Sequence, residues 1–207
     1  NALFRESAGE MNEWVNQYAS AIGRSKRETR DGVSAFQGLF LGMKLGGEQT
    51  KALTKEFQGL SNDFASLLVM SDELARTKFL SALSGEPEPL RQDGITVSDA
   101  NISLTDFAKS LGKTSTKMTE NEKKWARMEI IRKGMTMLAA TGDAYRTRDS
   151  PENQLKRLAA AAEEARTSLG YLVTGPIVKL IKAMRELAGL VQNMNTSQLK
   201  AVTGFMI

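Results

Sequence analysis

The chain has 207 residues, 41% of them hydrophobic, enough to bury a core as one domain or as two small ones. It contains neither cysteine nor histidine, which excludes a disulfide framework, thiolate and paired-histidine metal sites and histidine-based triads, and argues against an enzyme. The 28 basic and 24 acidic residues leave a net charge of +4, a modest excess spread along the chain.

Phe4, Met11, Val15, Tyr18 and Ile22 recur at helical spacing and predict a first amphipathic helix ending near Gly23. Arg24 to Arg30 reads as a charged connector. A second helix is expected over 31–45, with Val33, Phe36, Leu39, Phe40 and Met43 on its apolar side and Gly46-Gly47 as its break. Ser34, Gly38, Gly42 and Gly46 recur every four residues and form a candidate helix contact face. Tight packing inside a bundle is the plainer reading of that face, and self-association or membrane activity the sharper one. Short helices are expected around 53–60 and 64–69, then one from Ser71 carrying Leu74, Phe79, Leu80 and Leu83 to a stop at Gly85.

Residues 86–104 read as the least helical part, with Pro87 and Pro89 stiffening an extended connector and Ile95-Thr96-Val97 the best candidate for a short strand or extended piece. After a short helix over 105–111, Thr119 and Glu122 form a capping box that launches a long helix. Trp125, Met128, Ile131, Met135 and Leu138 form its stripe, and Gly142 is placed to end it. Ser150-Pro151 starts the next helix, striped by Leu155, Leu158, Ala162, Ala165 and Leu169 and closed by Gly170. Gly175-Pro176 starts another, striped by Ile177, Ile181, Met184, Ala188, Val191 and approximately Met194. The expected fold is mainly α, a multi-helix bundle or coiled-coil-like assembly with a Pro/Gly-rich loop and little or no strand.

The chain opens at Asn1 without a visible signal peptide and closes inside an apolar pattern ending at Ile207, so both ends read as boundaries within a longer chain. No uncharged run approaches the length of about 18 to 20 residues that spans a bilayer. Gly112-Lys113-Thr114 imitates the end of a phosphate-binding loop, but Phe107 stands where its first glycine belongs. The glycosylation triplets at Asn101 and Asn195 carry no consequence without secretion. Basic residues are densest from Lys109 to Lys133, which reads first as a solvated helix face and second as a patch for phosphate or anionic lipid. The ten methionines read as adaptable core filler. No carboxylate pair has the ligand count of a calcium loop, so no catalytic, metal or cofactor residue is assigned.

Gly85, Glu86, Pro89, Leu90, Gly94 and Ile95 together resemble the signature loop of phage tail tape measure proteins. Further pieces follow in the same order: Glu122, Lys123 and Arg127; Gly142, Asp143, Thr147, Asn153 and Leu155; and Gly170 with Pro176. The resemblance spans roughly residues 57–190 and departs at Asp93, where the family more often has an aromatic residue, and at Pro151, where it often has a small one. It implies a tape measure domain over 48–195, preceded by the amphipathic helices of 1–47 and followed at 196–207 by the start of a further apolar helix.

Members of that family are long helical chains lying as oligomers in the lumen of the tail tube, where chain length sets tail length. The resemblance implies no cofactor, assembly in the host cytoplasm and residence in the virion. The implied partners are other copies of the chain, tail tube and tail tip proteins and tail assembly chaperones. Contact with the host membrane or DNA on ejection is a further implication. A single straight helix of this length would span about 310 Å, and the glycine and proline breaks shorten it, so the segment reads as the folded domain of a longer ruler. The alternative reading is a membrane-active pore or channel-forming helical protein; a nucleic-acid-binding helical module comes third.

Overall fold

The structure is a computed structural model that describes residues 2–169 together with 181–182 and 185–186. Helices α1 (Ala2–Ile22), α2 (Lys26–Leu41), α3 (Gly47–Leu67), α4 (Asp72–Ser84) and α5 (Glu88–Arg91) come first. They are followed by α6 (Asp99–Leu104), α7 (Asp106–Leu111), a 3-10 turn at Ser115–Lys117, α8 (Glu120–Met137), α9 (Asp143–Arg146) and α10 (Pro151–Leu169). The fold is a mainly α multi-helix bundle with no strand among the described residues. Gly170, Pro176, most of the stripe from Ile177 to Met194 and the apolar end at 196–207 lie outside those residues, as does the side chain of Phe4.

The core lies where α2, α3, α4 and α8 meet. Phe36 and Phe40 from α2, Phe57 and Phe64 from α3, Phe79 and Leu83 from α4, and Met128, Ile131 and Met135 from α8 are all fully buried there. Burying each such side chain contributes about 1.5–3 kcal/mol. Phe40 meets Phe57 edge-on at 5.5 Å and Phe64 meets Phe79 at 5.4 Å, the arrangement that ring quadrupoles favour. Because Phe36, Phe40 and Met43 share one cluster with Leu53 and Phe57, the Gly46-Gly47 break separates two helices of a common core. On the flank, α1 buries Met11, Val15, Tyr18 and Ile22, the side its spacing predicts, and Trp14 stacks on Tyr18 at 4.7 Å.

Several boundaries differ from the sequence expectation, each for a local reason. The two short helices expected at 53–60 and 64–69 are the single helix α3, whose stripe is interrupted by buried Thr54, Gln58, Ser61, Asn62 and Asp63. The connector expected at 24–30 is mostly helix, because Ser25 accepts a hydrogen bond from the Glu28 amide and caps α2 at Lys26. Helix α8 stops at Met137 rather than at Gly142. Ala139 takes the left-handed conformation at φ 53°, and Gly142, at φ 79°, precedes α9 instead.

Pro87 and Pro89 do not lie in an extended connector. They open the helical turn α5, with Pro89 near its start, where a missing amide hydrogen costs nothing. Gly94 at φ 94° then turns the chain so that Ile95 joins Leu90 in the core, while 95–97 is neither helix nor strand. Ile95 has room because α8 carries Gly134 opposite it: a Cβ there would stand 2.8 Å from Ile95 Cγ1. Gly134→Ala is expected to destabilise by about 1–3 kcal/mol through overpacking. On an Ile95→Ala background the same change should stabilise, because alanine is the better helix former. Urea melts of the four proteins check both signs.

Val69 follows α3 at φ 52°, and the Met70 amide donates back to Ala65 O at 3.0 Å, a helix-ending motif that favours glycine. A β-branched residue is strained there, and 60% of Val69 is exposed, so its side chain loses little by removal. Val69→Gly is expected to raise stability by about 1 kcal/mol, read as a higher urea midpoint at unchanged slope.

Candidate functional site

Gly85 of the first motif block and Arg127 of the second meet at one junction. Gly85 ends α4 at φ 108° and the Glu86 amide donates to Ser81 O at 2.8 Å. Arg127 of α8, only 7% exposed, lies over Gly85 and donates through Nη1 to Leu83 O at 3.1 Å. A cation thus sits at the carbonyl end of α4, where the helix dipole favours it. Thr119 and Glu122 form the full capping box, at 3.2 and 2.7 Å, and Glu122 also pairs with Lys113. Lys123 pairs with Glu120, which reaches Arg127 at 3.4 Å.

The third block forms a second, more buried junction. Thr147 donates through Oγ1 to Asp143 O at 2.8 Å, and Asn153 Nδ2 donates to Thr147 O at 2.9 Å and to Ser66 Oγ at 3.0 Å. Asp63 of α3 accepts from the amides of Gly142 at 2.7 Å and Ala144 at 3.0 Å, which pins α9 to α3. Burial raises the Asp63 carboxyl above the ordinary carboxylate range, although these two amides pull the other way.

Arg24, 4% exposed, completes the junction: Nε lies 2.9 Å from Asp72 Oδ2 and Nη2 donates to Asn153 Oδ1 at 2.9 Å. Lys156 donates to Met70 O at 2.8 Å, just beyond the end of α3, with Asp72 at 3.9 Å. Desolvation holds its ammonium below the ordinary lysine range. The resemblance names Gly142, Asp143, Thr147 and Asn153, whereas nothing in the local sequence marks Asp63, Ser66 or Arg24 as members of this junction.

Helix α10 is the main departure from the sequence reading. Its buried side is Asn153 and Ala160, flanked by half-buried Lys156, Glu163 and Glu164. Lys26 pairs with Glu164 and Arg27 with Glu163, both at 3.2 Å, and Ser25 donates to Glu163 at 2.8 Å. Of the expected seam, Leu155 is 38% exposed, Leu158 is 51% exposed and Ala165 is also exposed, whereas Ala162 is half-buried and the side chain of Leu169 lies outside the described residues. Leu155 is therefore a surface residue, unlike the other motif residues of its block.

The small-residue face does not pack against another helix among the described residues. Ser34, Gly38, Gly42 and Gly46 are all exposed, no neighbouring helix packs within 4 Å of the glycines, and Gly46 lies beyond the end of α2. The close approach uses another glycine of α2. Gly32 faces α3 so tightly that a Cβ would stand 2.2 Å from Gln58 Oε1.

The basic stretch is largely engaged within the fold. Lys109, Lys113, Lys123, Arg127, Arg132 and Lys133 each lie within 4 Å of a carboxylate. An apolar groove of about 350 Å³ runs between α6 and α8, flanked by Leu104, 64% exposed, and Met137, 87% exposed. Among the described residues no helix is long and apolar enough to cross a membrane, and no three acidic side chains are arranged to hold a metal ion. No family model, curated protein or solved structure matches the chain. The geometry offers fasteners between helices, with the carbonyl ends of α3 and α4 held by cations from α10 and α8.

Proposed function

We propose that this chain is a helical domain of a phage tail tape measure protein, acting in assembly without catalysis. The observation that carries the reading is the ordered set of resembling residues from Gly85 to Asn153, most of which serve as helix ends or as fasteners between helices. A domain whose distinctive residues maintain shape suits a scaffold around which other subunits polymerise. In this reading it oligomerises in the tail tube lumen, contacts tube and tip proteins and leaves the virion ahead of the DNA.

The test uses a parent chain that carries this domain and an extended helical ruler. Deleting about 100 residues of ruler outside the domain should shorten tails by about 150 Å in electron micrographs. Tails of unchanged length would sink the proposal.

A further inference from the structure

Helix α10 meets the body through polar groups. None of its residues belongs to any of the three buried apolar clusters, and Ala160 is its one buried apolar side chain among the described residues. Its hold consists of Asn153 with Arg24 and Ser66, Lys156 with Met70 O, Glu163 with Ser25 and Arg27, and Glu164 with Lys26. The helices under it are fixed differently. Each of α2, α3, α4 and α8 buries at least two large apolar side chains in the common core.

That difference decides what separating α10 from the body involves. The separation surrenders little burial of carbon surface, and the polar groups that held the helix gain water in exchange. The most deeply buried charges under it do not lose one another. Arg24 precedes α2 and Asp72 opens α4, so their 2.9 Å pair belongs to the body and is hydrated, not broken, when α10 leaves. A polar cleft of about 270 Å³ already enters the contact, between Arg27, Glu28 and Asp31 of α2, Glu73 and Arg76 of α4 and Glu163 of α10. A pivot is present as well: α9 stays pinned to α3 through Asp63, and exposed Arg148 and Asp149 follow it.

We propose that α10 is a releasable strap, which swings off the body as a unit while the bundle of α2, α3, α4 and α8 stays folded. Opening is a partial unfolding of the kind that falls to elements with few buried apolar contacts. It uncovers Arg24, Asp72, Ser66 and the carbonyl end of α3, a polar floor that the closed strap covers. This inference is independent of the tape measure reading.

Hydrogen exchange of the full-length chain, read by mass spectrometry, tests the strap. Backbone amides of 157–167 in α10 are expected to exchange about a hundredfold faster than those of 124–135 in α8, yet slower than in an unstructured peptide. Low urea should barely change the α10 rate, because its opening exposes little surface. Lys26→Glu with Arg27→Glu turns two attractions into repulsions and should speed α10 exchange about tenfold while leaving α8 unchanged. Helix α2 itself does not suffer, since acidic residues in a first turn suit its dipole. Glu163→Lys with Glu164→Lys, made on α10, should act alike, and all four changes together should restore most of the protection. Exchange of α10 at the rate and urea response of α8 would overturn the proposal, because α10 would then open only with the whole molecule. So would exchange as fast as in an unstructured peptide, acceleration of both helices by the charge changes, acceleration of neither, or no recovery in the fourfold variant.

Discussion

Arg24→Ala is expected to lower the unfolding free energy by about 3–5 kcal/mol, the cost of stranding a buried charge. The side chains of Arg24 and Asp72 are 2% and 10% exposed, and the guanidinium also holds Asn153 at 2.9 Å. Without it, the nearest cation recorded beside Asp72 is Lys156 at 3.9 Å, too distant for a hydrogen bond. The damage should be specific to the pair. Arg24→Ala with Asp72→Ala is expected to cost clearly less than the sum of the single changes, because the stranded carboxylate goes with its partner. Urea denaturation of the four proteins reads the coupling, and a single-variant loss below about 1 kcal/mol would mean that water reaches the pair.

Asp63→Asn is expected to cost about 2 kcal/mol at neutral pH. The carboxylate gives one oxygen to each of two amides, Gly142 and Ala144, whereas an asparagine turns an NH₂ group toward one of them. The loss should depend on pH with a definite sign. Burial raises the folded-state pKa of Asp63, so between the unfolded value of about 4 and that raised value the folded chain binds more protons than the unfolded chain. Its contribution is therefore fully present below about pH 4 and declines as pH rises through the folded pKa. Since asparagine does not titrate, the stability gap between the two proteins should be larger at pH 4 than at pH 7. A gap that widens toward pH 7 would show that the two amides outweigh burial.

The pattern of residues along the chain reveals some of this architecture and conceals the rest for identifiable reasons. Helical spacing picks out the buried sides of α1, α2 and α8 because those helices each bury a largely apolar face. Local chemistry places the capping box at Thr119 and the left-handed glycines at 85, 94 and 142. Helix α3 looks like two pieces because it buries polar side chains, some bonded within the helix, such as Thr54 to Thr50 O, and others bonded to distant elements, such as Asp63 to Ala144. The second junction is hidden for the same reason: Arg24 and Asn153 are 129 residues apart, and neither carries a mark of the other. In α10 the spacing reveals an apolar face but not the neighbour it meets, and the body takes the opposite side. At Ser34, Gly38 and Gly42, small residues at helical spacing permit close approach without requiring it, and the approach is made at Gly32.

The docking of α10 makes the chain sensitive to the kind of salt around it. Lys26–Glu164 and Arg27–Glu163 hold it through partly exposed charges, whose attraction weakens as added salt shortens the Debye length below its value of about 10 Å at 0.1 M. Its leucines answer to the opposite influence, since sulfate strengthens the burial of carbon surface. Chloride and sulfate at matched ionic strength therefore press differently on the two sides of one helix, the first loosening its hold on the body and the second also driving its other face toward cover.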